Sequence, residues 1–112
     1  DNLICTIDYN QKQIDGSLDE VLPMGNIVNK FKAFDWEVLE IRNGNNINDI
    51  IDVLNNAKLL CGNEKPICII MHTKMGNGVD YMMGTHKWHG VAPNDEELAI
   101  ALSQNPESLG DY

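Results

Sequence analysis

Positive charge is in short supply in this sequence. Of its 112 residues only 8 are Lys or Arg, against 17 Asp or Glu. The resulting net charge of −9 disfavours a nucleic-acid backbone or an anionic membrane as partner. No apolar run is long enough to cross a bilayer, and no charged-then-apolar signal segment opens the chain, so the expected compartment is cytoplasmic. Cysteine is scarce and odd in number. Cys5, Cys61 and Cys68 show no close ligand spacing and fall in predicted strands or at a helix end, the pattern of buried, reduced thiols. Three scattered His residues without metal spacing argue against zinc, and no Ser-His-Asp or Cys-His arrangement points to nucleophilic catalysis. What is present, 43% hydrophobic and 22% charged residues, suits one folded domain that buries about 65% of its unfolded surface.

The order of the apolar segments predicts an α/β chain. Leu3-Ile4-Cys5-Thr6-Ile7 reads as a strand that hands over to polar residues closed by an Asp15-Gly16 turn, and 17–24 reads as a connecting loop. Ile27, Val28, Phe31 and Phe34 give a helix over about 26–34 a face to lay on a sheet. Trp36 to Ile41 suits a second strand. Asn46 with Asp49 caps the best-marked helix, whose stripe is Ile47, Ile50, Ile51, Leu54, Ala57 and Cys61, and Gly62 stops it. Pro66 to Met71 is a continuous apolar run too short for a helix, hence a strand buried on both faces. After a long irregular stretch, 73–93, Asn94 with Glu97 opens a helix through about 104 with Leu98, Ala101 and Leu102 inward, and the tail after Pro106 is expected to fray. Strand, helix, strand, helix, strand implies a parallel sheet with flanking helices and right-handed crossovers. Three strands are few, and the first begins almost at the amino terminus, so the chain is expected to be a piece of a longer polypeptide or of a protein assembled from split chains.

Three loops could carry chemistry. Tyr9 and Asn10 fall just past the carboxyl end of the first strand, where open α/β sheets bind ligands. The amide oxygen of Asn10 is a hard, neutral ligand suited to Mg²⁺, although Asn also tolerates turn conformations. His72-Thr73-Lys74-Met75-Gly76-Asn77-Gly78 begins at the end of the third strand, so it opens on the same edge, and its glycines allow close backbone approach to a phosphate or simply make a turn. In Gly84-Thr85-His86-Lys87-Trp88-His89-Gly90, a loop His can donate to phosphate or move a proton, or can sit on the surface beside a packing Trp.

Taken together and in this order, Asp8-Tyr9-Asn10, Gln13-Ile14-Asp15-Gly16, Trp36-Glu37-Val38, His72-Thr73-Lys74-Met75-Gly76-Asn77-Gly78-Val79 and Trp88-His89-Gly90-Val91-Ala92-Pro93-Asn94 resemble transketolase over nearly the whole chain. The resemblance implies a partial thiamine-diphosphate-binding fold, the second half of the diphosphate-binding domain. Its enzyme moves a two-carbon ketol unit between sugar phosphates, with Mg²⁺ or Ca²⁺ clamping thiamine diphosphate. In that family the metal is held by an Asp of an upstream Gly-Asp-Gly motif, by an Asn matching Asn10, and by a backbone carbonyl matching that of Lys12. Ile14 and Met75 match cofactor contacts, Gly76 adjoins the latter, and His89 matches a His that reaches the diphosphate and the donor substrate. The Gly-Asp-Gly half of the motif and the earlier family histidines are not among these residues, and the glutamate that activates the cofactor belongs to another domain. The resemblance thus implies, as partners, the remaining domains or a separate carboxyl-terminal chain, in a dimer or higher assembly. Two other readings stay in view: another thiamine-diphosphate enzyme, such as a deoxyxylulose-phosphate synthase or a ketoacid dehydrogenase component, and a non-catalytic flavodoxin-like assembly module. Trp88-His89-Gly90 disfavours the first of these.

Overall fold

The computed structural model describes residues 1–105. The tail predicted to fray lies outside the described residues. Three strands, β1 (Ile4–Asp8), β4 (Glu37–Ile41) and β5 (Ile67–Met71), form a parallel sheet in the order β1-β5-β4. Two residues each from β2 (Lys12–Gln13) and β3 (Gly16–Ser17) make a small antiparallel hairpin just after β1. The helices are α1 (Leu18–Val21), α2 (Ile27–Ala33), α3 (Ile47–Leu60) and α4 (Asp95–Gln104), with a 3₁₀ turn at His86–His89.

Sheet order explains why the apolar run of β5 is continuous. The chain leaves β1, runs through α2 to β4 at the far edge, and returns through α3 to β5 in the middle. Because the direction of travel reverses, crossovers of one hand place α2 and α3 on opposite faces. Ile67 and Ile69 pack with Ile41 and Ala57 on the α3 side, while Cys68 and Ile70 pack with Ile27 on the α2 side. The first four residues of β5, Ile67 to Ile70, are buried, each Ile contributing roughly 1.5–3 kcal/mol of transfer free energy.

Local signals set the helix ends. The Asn46 side chain accepts hydrogen bonds from the Asn48 and Asp49 amides. Asn94 and Glu97 form a reciprocal capping box. A second capping box, Ser17 with Glu20, turns part of the stretch read as loop into the short helix α1. The turn before it is at Ile14 and Asp15, and Gly16 is the first residue of β3.

Several apolar side chains predicted to face inward do not. Phe34 is 80% exposed, because it is the C-cap of α2 and lies past the last turn that meets the sheet. On α3 the buried face runs through Ile50, Val53, Leu54, Ala57 and Leu60, which leaves Ile47 and Ile51 in solvent. Leu98 and Leu102 of α4 are also exposed, since α4 is held to the chain by polar bonds near the 78–81 loop rather than by an apolar face. Of the cysteines, which are all free, Cys68 is fully buried and Cys5 and Cys61 are half-buried. No helix among the described residues is long and apolar enough to cross a membrane.

Candidate functional site at the carboxyl edge of the sheet

Register places Asp8, the last residue of β1, opposite Met71, the last residue of β5. The two segments that follow therefore leave the sheet side by side at the edge where parallel sheets place ligands. Polar bonds stitch this edge together. Tyr9 N–H donates to the Met71 carbonyl (2.9 Å) and Gly44 N–H to the His72 carbonyl (2.9 Å). Lys74 N–H donates to Asn45 Oδ1 (2.7 Å), tying the loop after β5 to the turn after β4.

Asn10 is half-buried and makes two side-chain hydrogen bonds. Its Oδ1 accepts the Lys12 amide at 2.9 Å, and its Nδ2 donates to Asp8 Oδ2 at 3.3 Å. Between Asn10 and Lys12, Gln11 takes a left-handed conformation, φ 65°, which few non-glycine residues adopt and which closes the loop into a tight Asx turn. The Gln11 carbonyl then accepts from Leu18 N–H (3.1 Å), so the hairpin and α1 buttress the turn. Asn10 and Lys12, the two expected metal-binding positions, thus share one turn. Ile14 sits 64% exposed at the tip of the hairpin.

The second loop is held by backbone bonds. Gly84 N–H donates to the Met75 carbonyl (3.0 Å) and Val79 N–H to the Gly76 carbonyl (3.1 Å), with Met75 half-buried. Gly76 has φ 70°, and a Cβ there would lie 2.6 Å from the Met82 carbonyl oxygen, so only glycine fits both the conformation and the space.

Trp88 anchors the third segment. Its Nε1–H donates to the Tyr81 carbonyl (3.2 Å), its ring meets the Tyr81 ring edge-on at 5.2 Å, and Lys87 Nζ sits 4.7 Å from its centre. The Tyr81 hydroxyl donates to the Glu97 carbonyl (2.8 Å), and burial, then the neighbouring Glu97 and Asp80 carboxylates, raise its pKa. His89 closes this 3₁₀ turn with its side chain exposed, followed by Gly90. Bonds from the Ser17 hydroxyl and amide hold the Glu20 carboxyl below its ordinary range, and the Lys12 ammonium adds to this. Among the described residues no hydrogen bond joins Ile14 or His89 to Asn10.

Asp8, Asn45 and Thr73 also belong to this edge; Asp8 and Thr73 lie inside the motifs quoted above, but none of the three was assigned a role from the sequence. The Thr73 hydroxyl donates to Asp8 Oδ1, across 65 residues of chain. Likewise His72 Nε2 lies 3.1 Å from Glu40 Oε2, with the Tyr9 ring edge-on to the imidazole at 5.5 Å. For Asp8 one signal was available: a carboxylate two residues before a candidate ligand, at a strand end.

No group of three or more His, Cys, Asp or Glu among the described residues could hold a metal ion. The donors at the Asn10 turn are instead a neutral amide oxygen, with one lone pair engaged by Lys12 N–H, and backbone carbonyls, with the single Asp8 carboxylate behind Asn10. That set fits a hard, oxygen-seeking cation such as Mg²⁺ or Ca²⁺, and supplies only part of the six or more oxygens such ions take.

The chain is thus an open parallel α/β unit with its glycine loop and its Asn10 turn at the carboxyl edge of the sheet, the edge where folds of this class bind ligands. The family profile described as "Transketolase, thiamine diphosphate binding domain" matches residues 1–107, and the chain belongs to that family. One component of the apulose-4-phosphate transketolase of Phocaeicola vulgatus is 38% identical over 109 residues, covering 97% of this chain and 38% of that protein. The transketolase of Bacillus subtilis is 34% identical over 98 residues, 88% of this chain and 14% of that protein. Among solved structures, the transketolase of Campylobacter jejuni superposes with a TM-score of 0.80 at 32% identity, over 92% of this chain and 16% of that one. The chain therefore spans well under half the length of these relatives.

Proposed function

We propose that this chain is the carboxyl-terminal portion of a diphosphate-binding domain and that the complete protein transfers a two-carbon ketol unit between sugar phosphates. The observation that carries this reading is the Asx turn at Asn10, set beside the Gly76 loop at one sheet edge in a chain of the thiamine-diphosphate-binding family. In it, Asn10 Oδ1 and the Lys12 carbonyl hold Mg²⁺ or Ca²⁺ against the diphosphate. Ile14, Met75 and Gly76 form part of the wall around thiamine diphosphate, with Gly76 letting the backbone come close. His89, exposed and followed by a glycine, donates hydrogen bonds to anionic groups of cofactor and donor sugar. Thiamine diphosphate, when bound, supplies the nucleophilic carbon and the electron sink that the protein itself lacks.

The remaining metal and cofactor contacts come from other segments or chains, in a dimer or higher assembly located in the cytoplasm. The Phocaeicola relative is named as one of the polypeptides that make up an apulose-4-phosphate transketolase, which supports a split-chain arrangement and a sugar-phosphate substrate here. The test is to express the complete protein with its genetic neighbour and assay ketol transfer from phosphorylated ketoses. Transfer that requires thiamine diphosphate and a divalent cation, and that is lost in Asn10→Ala, supports the reading. Binding of neither cofactor nor cation by the assembled protein would overturn it.

A further inference from the structure

Asp8 touches both loops of the site. One of its carboxylate oxygens accepts from Asn10 Nδ2 at 3.3 Å, and the other accepts from the Thr73 hydroxyl. An Asn side chain presents a carbonyl on one side and an NH₂ on the other, so its useful face depends on which way the amide is turned. Here the Lys12 amide meets the oxygen and the Asp8 carboxylate meets the nitrogen. Turned over, Asn10 would set N–H against N–H at Lys12 and C=O against a carboxylate at Asp8, two repulsive contacts in place of two attractive ones.

We infer that Asp8 is a positioning residue that fixes the Asn10 amide with its oxygen toward the cation while docking the first loop to Thr73 on the second. This rests on the reading of Asn10 as a metal ligand. Donation from the NH₂ to a negative charge also shifts electron density toward Oδ1 and makes it a better ligand, as carboxylates behind metal-binding side chains do. Lys12 N–H fixes the oxygen from one side, and Asp8 adds an anionic partner for the NH₂ on the other. Asp8 acts here through Asn10: its Oδ2 faces Asn10 Nδ2 and its Oδ1 faces the Thr73 hydroxyl.

The experiment uses the complete assembled protein with Mn²⁺ as probe, its dissociation constant read by electron paramagnetic resonance in the presence of thiamine diphosphate, alongside the melting temperature of the metal-free protein. Asp8→Ala is expected to weaken Mn²⁺ about tenfold to one-hundredfold. Asp8→Asn, whose carbonyl still accepts from Asn10 Nδ2, is expected to recover most of the loss, and Thr73→Val to stay within about threefold of the parent. A Mn²⁺ affinity unchanged in Asp8→Ala overturns the inference. So does Asp8→Asn as weak as Asp8→Ala, which would mean direct ligation by the charge, and so does equal weakening by Thr73→Val, which would mean loop docking alone. Asn10→Ala separates the two levels. If it weakens Mn²⁺ and Asp8→Ala does not, only the role of Asp8 falls; if neither does, the reading of Asn10 falls with it. Should Asp8→Ala fail to fold, a structure of the metal-loaded parent decides, with Asn10 Nδ2 facing Asp8 and Asp8 outside the metal shell as the expected result, and an Asp8 oxygen on the metal as the overturning one.

Discussion

Tyr9 N–H donates to the Met71 carbonyl at 2.9 Å, one residue beyond the end of β1 and at the last residue of β5. This bond extends the ladder just far enough to launch the Asn10 turn beside the His72–Gly78 loop. Separated in sequence by more than sixty residues, the two loops become neighbours because β1 and β5 are adjacent and parallel.

A polypeptide of these 112 residues alone should bind thiamine diphosphate with Mg²⁺ weakly or not at all. Mg²⁺ demands near-octahedral oxygens, and Asn10 with Lys12 supplies two protein donors. Calorimetry is the check, and Mg²⁺-dependent binding in the micromolar range would contradict the expectation.

Gly76→Ala should damage the site more than the fold. A side chain in the left-handed region costs about 1–2 kcal/mol. The new Cβ would also meet the Met82 carbonyl oxygen at 2.6 Å, so the loop must move. Thermal unfolding should register a modest loss, while cofactor affinity of the complete protein falls by a larger factor. Equal affinity in the variant would remove Gly76 from the site.

His89→Ala should leave stability unchanged, because the side chain is exposed on a turn already anchored by Trp88. A charge-assisted hydrogen bond is worth about 1.5–3 kcal/mol, so ketol transfer by the complete enzyme should fall about ten- to one-hundredfold. Full activity with a melting temperature lowered by several degrees would show instead that His89 packs rather than acts.

Cys68 should be the slowest of the three thiols to alkylate in the native chain. Burial between the sheet and α2 pushes its pKa up to about 11 from an ordinary 9, with Cys5 adding to the shift. The unfolded chain therefore loses this proton at lower pH than the folded one, so the stability linked to Cys68 is whole below pH 9 and drains away as pH rises toward about 11. Denaturant melts across that window, compared with Cys68→Ala, measure the effect. A pH dependence identical in the two proteins would contradict it.

Everything governed by a few neighbouring residues was written in the sequence. Asn46 and Asn94 mark helix starts because a cap bonds to amides two or three residues on, and the run Ile67 to Met71 announces a strand covered on both faces because no solvent face interrupts it. Ser17 and Glu20 carried the same kind of signal for α1, masked by the shortness of the helix. The positions of Asn10 and Gly76 past strand ends were legible too, and from a parallel sheet so was their common edge.

Tertiary structure alone decided the rest. Whether Phe34, Ile47 and Leu98 are covered depends on what lies across from each helix face, which periodicity does not reveal. The partners of Asp8 and Glu40, Thr73 and His72, lie 65 and 32 residues away, and only the sheet order β1-β5-β4 brings them within hydrogen-bond reach. A side-chain bond acts over about 3 Å whatever the separation along the chain, so the sequence could name the donors and acceptors while the fold chose the pairs.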